Sequence, residues 1–311
     1  LDDFIGELGR AADMDLSQWT QDWLYQAGLN TIKVDYSCAN NRLSELNITQ
    51  TAPEGFTTLR EQRVQVGLYN VTGNGLTLTS AVPVTYMGAK TRVTEAEGLR
   101  CPELVYPNEA DWGYVKVDLD EKSLAIAKQY INKVDNSMMR LMLWQSLIDS
   151  VNDANLSAET FVEFAMANVV GETDYNVARA IGGGLLKALD YLTTATRLGV
   201  KDYSAVYADV ENLHLELLGN AAAGSDLQKY WYSNYVDLSK NSAHLKHLRA
   251  ILDGSKTYVG LTIDQDKRWA IVAHLNRYQF GDYKALLASE ILRDKSDIGV
   301  KYAIYSETMR P

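Results

Sequence analysis

Four histidines, His214, His244, His247 and His274, are where metal or acid–base chemistry would be sought first. His244 and His247 stand i,i+3 on a stretch of helical period, close enough to share a ligand. Zinc takes at least a third protein donor in a fixed place, and the sequence beside them offers Asp253 but no Glu after the first His. The H-E-x-x-H signature is absent from the chain, so both are expected as solvent-facing helix residues. Clustered acids at Asp118, Asp120 and Glu121 and at Asp264 and Asp266 could act as acid and base. Each group precedes an expected helix start, where a carboxylate caps amide donors and meets the positive end of the dipole, and capping is the expected role. Gly182-Gly183-Gly184 has no Lys-Ser/Thr after it and no strand before it, so it reads as close helix packing or a helix break, not a phosphate loop. No G-x-S-x-G and no Cys–His pair at a recognisable spacing occurs. The expected site is therefore empty of catalytic, cofactor-binding and metal-ligating residues.

Nineteen Tyr against five Phe is an unusual ratio, and Tyr230-Trp231-Tyr232 with Tyr235 makes one helix dense in aromatics. Such side chains suit the wall of a wet cavity or a contact surface, although ordinary packing with hydroxyls at the surface is favoured. Asn47-Ile48-Thr49 and Asn70-Val71-Thr72 fit a glycosylation sequon, which means nothing without evidence of secretion.

The elements that must position these residues follow from composition and periodicity. A chain of 311 residues, at roughly 150 per domain, holds about two domains. The 46% hydrophobic and 23% charged residues are those of a globular protein, and a net charge of -10 argues against a nucleic-acid partner. No apolar run approaches the roughly 18 residues of a membrane helix. Two cysteines, Cys38 and Cys101, are too few for a disulfide framework, and two free thiols are favoured over a single bridge.

Residues 1–28 carry two short helical stripes, the first with Phe4, Ile5 and Leu8 and the second with Leu16, Trp19, Trp23 and Leu24. So small a pair cannot bury its own apolar face and needs a partner. Over 29–118 the period falls to two. Val64, Val66 and Leu68 share one face, Gly73-Asn74-Gly75 marks a tight hairpin, and Pro83 marks an edge strand. Five to seven short strands without intervening helices predict a small antiparallel β-sandwich and disfavour parallel pairing. Over 119–311 apolar stripes of helical period predict nine to eleven helices, started by Asp120, Ser157, Asp174, Asp202, Asp226 and Asp264 and stopped by Gly171, Gly219, Gly254 and Gly281. Many short helices in series suggest an α-solenoid of stacked hairpins, of HEAT or armadillo type, with a compact irregular bundle as the alternative. The fold class is thus multidomain α+β.

Several stretches resemble a known family. Asp15-Leu16-Ser17-Gln18-Trp19 through Trp23-Leu24-Tyr25-Gln26-Ala27-Gly28 is similar to the close of the thermolysin-like catalytic domain in the aminopeptidase N family of zinc metallopeptidases. Val66-Gly67-Leu68-Tyr69 with Gly73-Asn74-Gly75-Leu76 resembles a hairpin of its β-sandwich in the bacterial branch, and Tyr106-Pro107-Asn108 through Asp120-Glu121 the junction that follows. Arg140 to Leu156, Glu172-Thr173-Asp174, Gly260 through Ala270 and Leu292-Arg293-Asp294 through Gly299 resemble the helical C-terminal domain shared with endoplasmic-reticulum aminopeptidases. The family's zinc ligands, exopeptidase motif and oxyanion Tyr have no counterpart here, so no residue is carried over as catalytic. The resemblance implies a C-terminal fragment of a zinc-dependent aminopeptidase that removes N-terminal amino acids from peptides, with the zinc in the parent's catalytic domain. It implies that the helices cap that site and shape peptide access, and that the chain is inactive alone. Its partners are then its own catalytic domain and, in the parent, peptide substrates, in a cytoplasmic setting. Self-association through Trp19, Trp23 and Leu24 is a further expectation. A freestanding sandwich-plus-solenoid scaffold for protein binding is the alternative.

Overall fold

The computed structural model describes residues 1–310, which divide into two compact units, one of residues 1–157 and one from Ala158 onward. The chain is of mixed α+β content. In the first unit, helices α1 (Asp2–Ala12) and α2 (Ser17–Leu24) precede seven strands: β1 (Thr31–Ala39), β2 (Arg42–Thr51), β3 (Gln62–Thr72), β4 (Gly75–Tyr86), β5 (Lys90–Arg92), β6 (Leu104–Tyr106) and β7 (Lys116–Asp118). Helices α3 (Glu121–Tyr130) and α4 (Ser137–Asn152) complete the unit.

The strands form a four-stranded sheet in the order β5-β2-β1-β7 and a three-stranded sheet in the order β4-β3-β6. Ile32 and Val34 of β1, Leu46 and Ile48 of β2, and Val64, Val66 and Leu68 of β3 are buried, as the period of two requires. Asn40 and Asn41 both take positive φ in the β1–β2 turn, a conformation Asn tolerates and a two-residue hairpin demands. Pro83 lies on β4, which pairs only with β3 and so is an edge strand, the place where a sheet tolerates proline. One expectation fails: β7 pairs with β1 in parallel, Thr31 to Lys33 against Lys116 to Asp118. Three residues at the end of a long excursion return beside β1 in the same direction, and no period in the sequence marks so short a strand.

The cysteines also depart from expectation. Cys38, near the end of β1, is disulfide-bonded to Cys101, 63 residues on, and the chain has no free thiol. The segment 98–103 is drawn against the β1–β2 hairpin before it enters β6, by Leu43 N–H to Leu99 O and Cys101 N–H to Asn41 O, and this brings the two Cα atoms to 5.9 Å.

The second unit holds α5 (Ala158–Val169), α6 (Tyr175–Arg197), α7 (Ser204–Asn220), α8 (Asp226–Leu238), α9 (Ser242–Asp253), α10 (Gln265–Arg277), α11 (Tyr283–Arg293) and α12 (Asp297–Thr308). Val177, Ile181, Leu185, Leu189 and Leu192 form the buried stripe of α6, and Leu245, Leu248 and Leu252 that of α9. Asp120, Asp174 and Asp264 cap α3, α6 and α10 with their carboxylates. Ser225, not Asp226, caps α8, because its Oγ reaches the Gln228 amide. Gly219 does not end α7, which runs to Asn220. Helix α6 is unbroken through Gly182, where an added Cβ would sit 2.5 Å from the Tyr230 hydroxyl, so this glycine admits α8 rather than a kink. Among the described residues no helix is long and apolar enough to cross a membrane.

Candidate functional site

The histidines are not the solvent-facing pair of the sequence reading. His244 is buried and His247 half-buried, because α8 and the 254–264 loop cover that side of α9. Tyr235 of α8 hydrogen-bonds His244 Nδ1 at 3.0 Å, and Tyr258 of the loop bonds His247 Nε2 at 2.9 Å. The Tyr235 ring meets both imidazoles edge-on, with centroids 5.7 and 5.8 Å away. Each imidazole is thus spent on its own phenol, and the two converge on no common ligand. Burial, with the Lys256 and His244 charges adding to it, holds His247 below its ordinary pKa and favours the neutral ring.

Beside this network lies a cleft of about 380 Å³, walled by Ile251, Leu252, Tyr258 and Leu261 with Lys256 and Arg268 at its edge. Arg268 is already committed. Its Nη1 donates to Leu252 O at 3.0 Å, at the C-terminal end of α9, and its Nε and Nη2 donate to Glu290 at 3.0 and 2.7 Å. Glu290, 1% exposed, also accepts from Gln265 and Arg293, so the charges at this rim compensate one another. The cleft offers apolar walls with a few polar groups, the usual make-up of a binding pocket, and no nucleophile beside a base.

Three of the four aromatics of α8 belong to the interior. Trp231, Tyr232 and Tyr235 are buried and Tyr230 half-buried, and main-chain groups of neighbouring helices take up the hydroxyls: Tyr232 donates to Lys267 O at 3.2 Å and Tyr230 to Arg179 O at 3.1 Å. Hydroxyls expected at the surface thus act as ties between helices. His214 is fully buried against Trp231, and burial pushes it down to about 4. His274 Nε2 donates to Ser239 O, and Glu211, fully buried on α7, accepts the Lys240 and Asn241 amides at 2.7 and 3.0 Å at the start of α9.

One acid of each cluster caps a helix, Asp120 accepting the Lys122 and Ser123 amides and Asp264 that of Lys267, whereas Asp118 pairs with Lys33 at 3.2 Å. The sequon asparagines are buried, Asn70 donating to Cys101 O at 3.1 Å and Asn47 to Glu45 at 2.8 Å, so neither side chain is presented for glycosylation. Among the described residues no group of three or more His, Cys, Asp or Glu stands where it could hold a metal ion.

In the first unit, Trp19 and Leu24 are exposed at 43% and 46%, together with Phe4 at 62%, while Trp23 is half-buried. Arg60 stacks over Trp23 at 5.1 Å and donates to Asp22 O, Gln26 O, Gly28 O and Asn30 Oδ1 at 2.7 to 3.0 Å. The sequence reading missed this residue. It also missed the buried pair in which the Tyr69 hydroxyl donates to Glu109 at 2.5 Å, burial raising the Glu109 pKa. Their partners lie about 30 and 40 positions away, beyond any local signal.

Comparison with known proteins adds two findings. The family model for the ERAP1-like C-terminal domain matches residues 104–307. The chain is also similar to the aminopeptidase N of Streptomyces lividans, with 29% identity over 320 residues, a match that covers all of this chain and 36% of that protein. The chain therefore spans about a third of the length of the curated relative it matches.

Proposed function

The chain belongs to the family of ERAP1-like C-terminal domains, and from that premise we propose that it is the non-catalytic region of a zinc-dependent aminopeptidase that trims peptides from their N-termini. The observation that carries this reading is the family match over 104–307 within a likeness to an aminopeptidase N that runs the whole length of the chain. In this proposal residues 1–28 close the catalytic domain, 29–118 pack as a β-sandwich spacer, and 119–311 stack as a solenoid that caps the site and limits peptide access. Pairing of α5 with α6 and of α7 with α8 supports a stacked arrangement, and the exposed Trp19, Leu24 and Phe4 support α1 and α2 as the face that meets the catalytic domain, or a second copy in its absence.

Zinc, when bound in such an enzyme, polarises the scissile carbonyl and activates water. The residues of this chain do not fit it: His244 and His247 are each spent on a tyrosine, and no third donor joins them. No step of the reaction is therefore assigned to these residues. What this chain contributes is exclusion of water and restriction of access.

The test is elemental analysis and turnover on the purified chain. It is expected to carry no stoichiometric zinc and to cleave no aminoacyl chromogenic substrate. When it is deleted from the full-length protein, the discrimination between short and long peptides should change more than the cleavage of a single aminoacyl bond. Zinc-dependent turnover by this chain alone overturns the proposal.

A further inference from the structure

The chain's two cysteines occupy a setting that none of the preceding functions uses. Cys38 is exposed and Cys101 half-exposed, so the bridge is open to a reagent from solvent. Cys38 sits just past the shift in register between Ser37 and Cys38, on a part of β1 that pairs with β2 alone, since β7 reaches no further than Lys33. Cys101 lies on the segment that leaves the hairpin of the four-stranded sheet and enters β6 of the other. The bridge therefore ties a hairpin tip of one sheet to the lead-in strand of the other.

Positive charge gathers along the chain at Cys101. Arg100 precedes it and stands opposite Arg42 in an antiparallel bridge, and Lys122 Nζ donates to Pro102 O at 2.7 Å. The nearest acid in sequence, Glu103, accepts the Val71 amide at 2.6 Å. Cys38 is the more exposed of the two cysteines, which makes its sulfur the point of attack.

Hydrogen bonds flank the bridge on both sides. Cys101 N–H donates to Asn41 O at 2.9 Å, Leu43 N–H to Leu99 O at 2.8 Å, Arg42 Nη1 to Gly98 O at 2.6 Å, and Asn70 Nδ2 to Cys101 O at 3.1 Å. With the bridge opened, these bonds alone join the segment to the hairpin tip, so the loosening is confined to that junction and neither sheet is released.

We propose that Cys38–Cys101 is a site of thiol–disulfide exchange whose co-reactant is a dithiol, and that its opening loosens the 38–43 hairpin tip and the 98–103 segment while both units stay folded. One thiolate of the dithiol attacks Cys38 Sγ, forming a mixed disulfide and expelling the Cys101 thiolate, which takes up a proton. The second thiol of the reagent then attacks its own mixed-disulfide sulfur and releases Cys38 as a thiol. Two electrons pass to the chain, and the dithiol leaves as its own disulfide.

The experiment treats the purified chain, without denaturant, with dithiothreitol, and follows thiol alkylation by mass spectrometry and hydrogen exchange by peptide. The expected result is a rise from no alkylated thiols to two per chain, with faster exchange confined to peptides spanning 38–43 and 98–103, reversed when oxidised dithiothreitol is supplied. A double Cys38→Ser, Cys101→Ser variant should show the same exchange pattern without reductant. Three results overturn the proposal: two alkylated thiols before any reductant is added, a bridge that opens only in denaturant, or reduction that raises exchange throughout β1 to β4.

Discussion

Gly260→Ala isolates the cost of one backbone contact, because Gly254→Ala supplies its control six residues earlier. Gly260 has φ +81°, and an added Cβ would lie 2.2 Å from Gly224 N and 2.6 Å from the Ala223 carbonyl carbon. Both are backbone atoms, so no side chain can swing aside, and the loop at 221–225 must move. That loop is tied to the Tyr258–Gly260 turn by Gln228, which donates to Val259 O at 3.0 Å and accepts the Gly224 amide at 2.8 Å. Gly254 has φ +84° but meets nothing within 4 Å. Positive φ costs a non-glycine residue about 1–2 kcal/mol at either position. Losing the two Gln228 bonds adds about 1 kcal/mol each. Gly260→Ala is therefore expected to destabilise the chain by about 3–4 kcal/mol, and Gly254→Ala by about 1–2 kcal/mol. Urea unfolding followed by tryptophan fluorescence, with the slopes of the two variants compared, measures the difference. Equal losses for the two variants would refute the reasoning, since only backbone strain would then be felt.

Two other sites give sharp expectations. His214 stays neutral in the fold at a pKa of about 4 against 6.5 when unfolded, burial being the main cause. The unfolded chain then binds the extra proton, so the contribution is intact above pH 6.5 and fades as pH falls towards 4, amounting to about 3 kcal/mol. A His214→Phe variant should show a correspondingly shallower loss of stability across that window in urea titrations at successive pH values, and an unchanged slope counts against the assignment. Replacing Arg60 by Met removes four hydrogen bonds and a cation over Trp23. A loss of about 3–5 kcal/mol is expected, with faster hydrogen exchange in α2 and the Gln26 to Asn30 turn; Arg60→Lys should recover only part of it, lacking the planar fork. Full recovery by Lys would reduce the role of Arg60 to its charge.

How much of this was legible in the sequence depends on how far apart the deciding atoms lie. The stripes of α6 and α9, the hairpin at Gly73-Asn74 and the caps at Asp120, Asp174 and Asp264 are set by residues within about a turn or two of one another, and all are found where local pattern places them. Cys38 and Cys101 looked like two thiols because spacing along the chain says nothing of a 5.9 Å Cα separation created by the 98–103 crossing. His244 and His247 looked exposed because an i,i+3 pair specifies a helix face but not what covers it, and here α8 and the Tyr258 loop do. Burial of Asn47 and Asn70 in their sequon tripeptides was equally out of reach of the local pattern.

A common feature links the residues that sequence reading missed. Arg60 binds the carbonyls that follow α2, Asn70 binds Cys101 O, Glu211 binds the amides that begin α9, and His274 binds Ser239 O. Each is buried and satisfies main-chain groups of another element at a point where that element starts, ends or turns. Where such a group is itself buried, as at Ser239, leaving it without a partner costs about 1–3 kcal/mol. An apolar stripe tolerates exchange of one aliphatic side chain for another of similar volume, typically below about 1.5 kcal/mol. These polar joints admit no equivalent replacement, since geometry and charge must both match. Sensitivity to conservative substitution should therefore peak at Arg60, Asn70, Glu211 and His274 rather than along the helical stripes. A deep substitution scan read by folded yield distinguishes the two, and a scan in which Leu185→Met or Leu248→Met costs more than Glu211→Gln would defeat the argument.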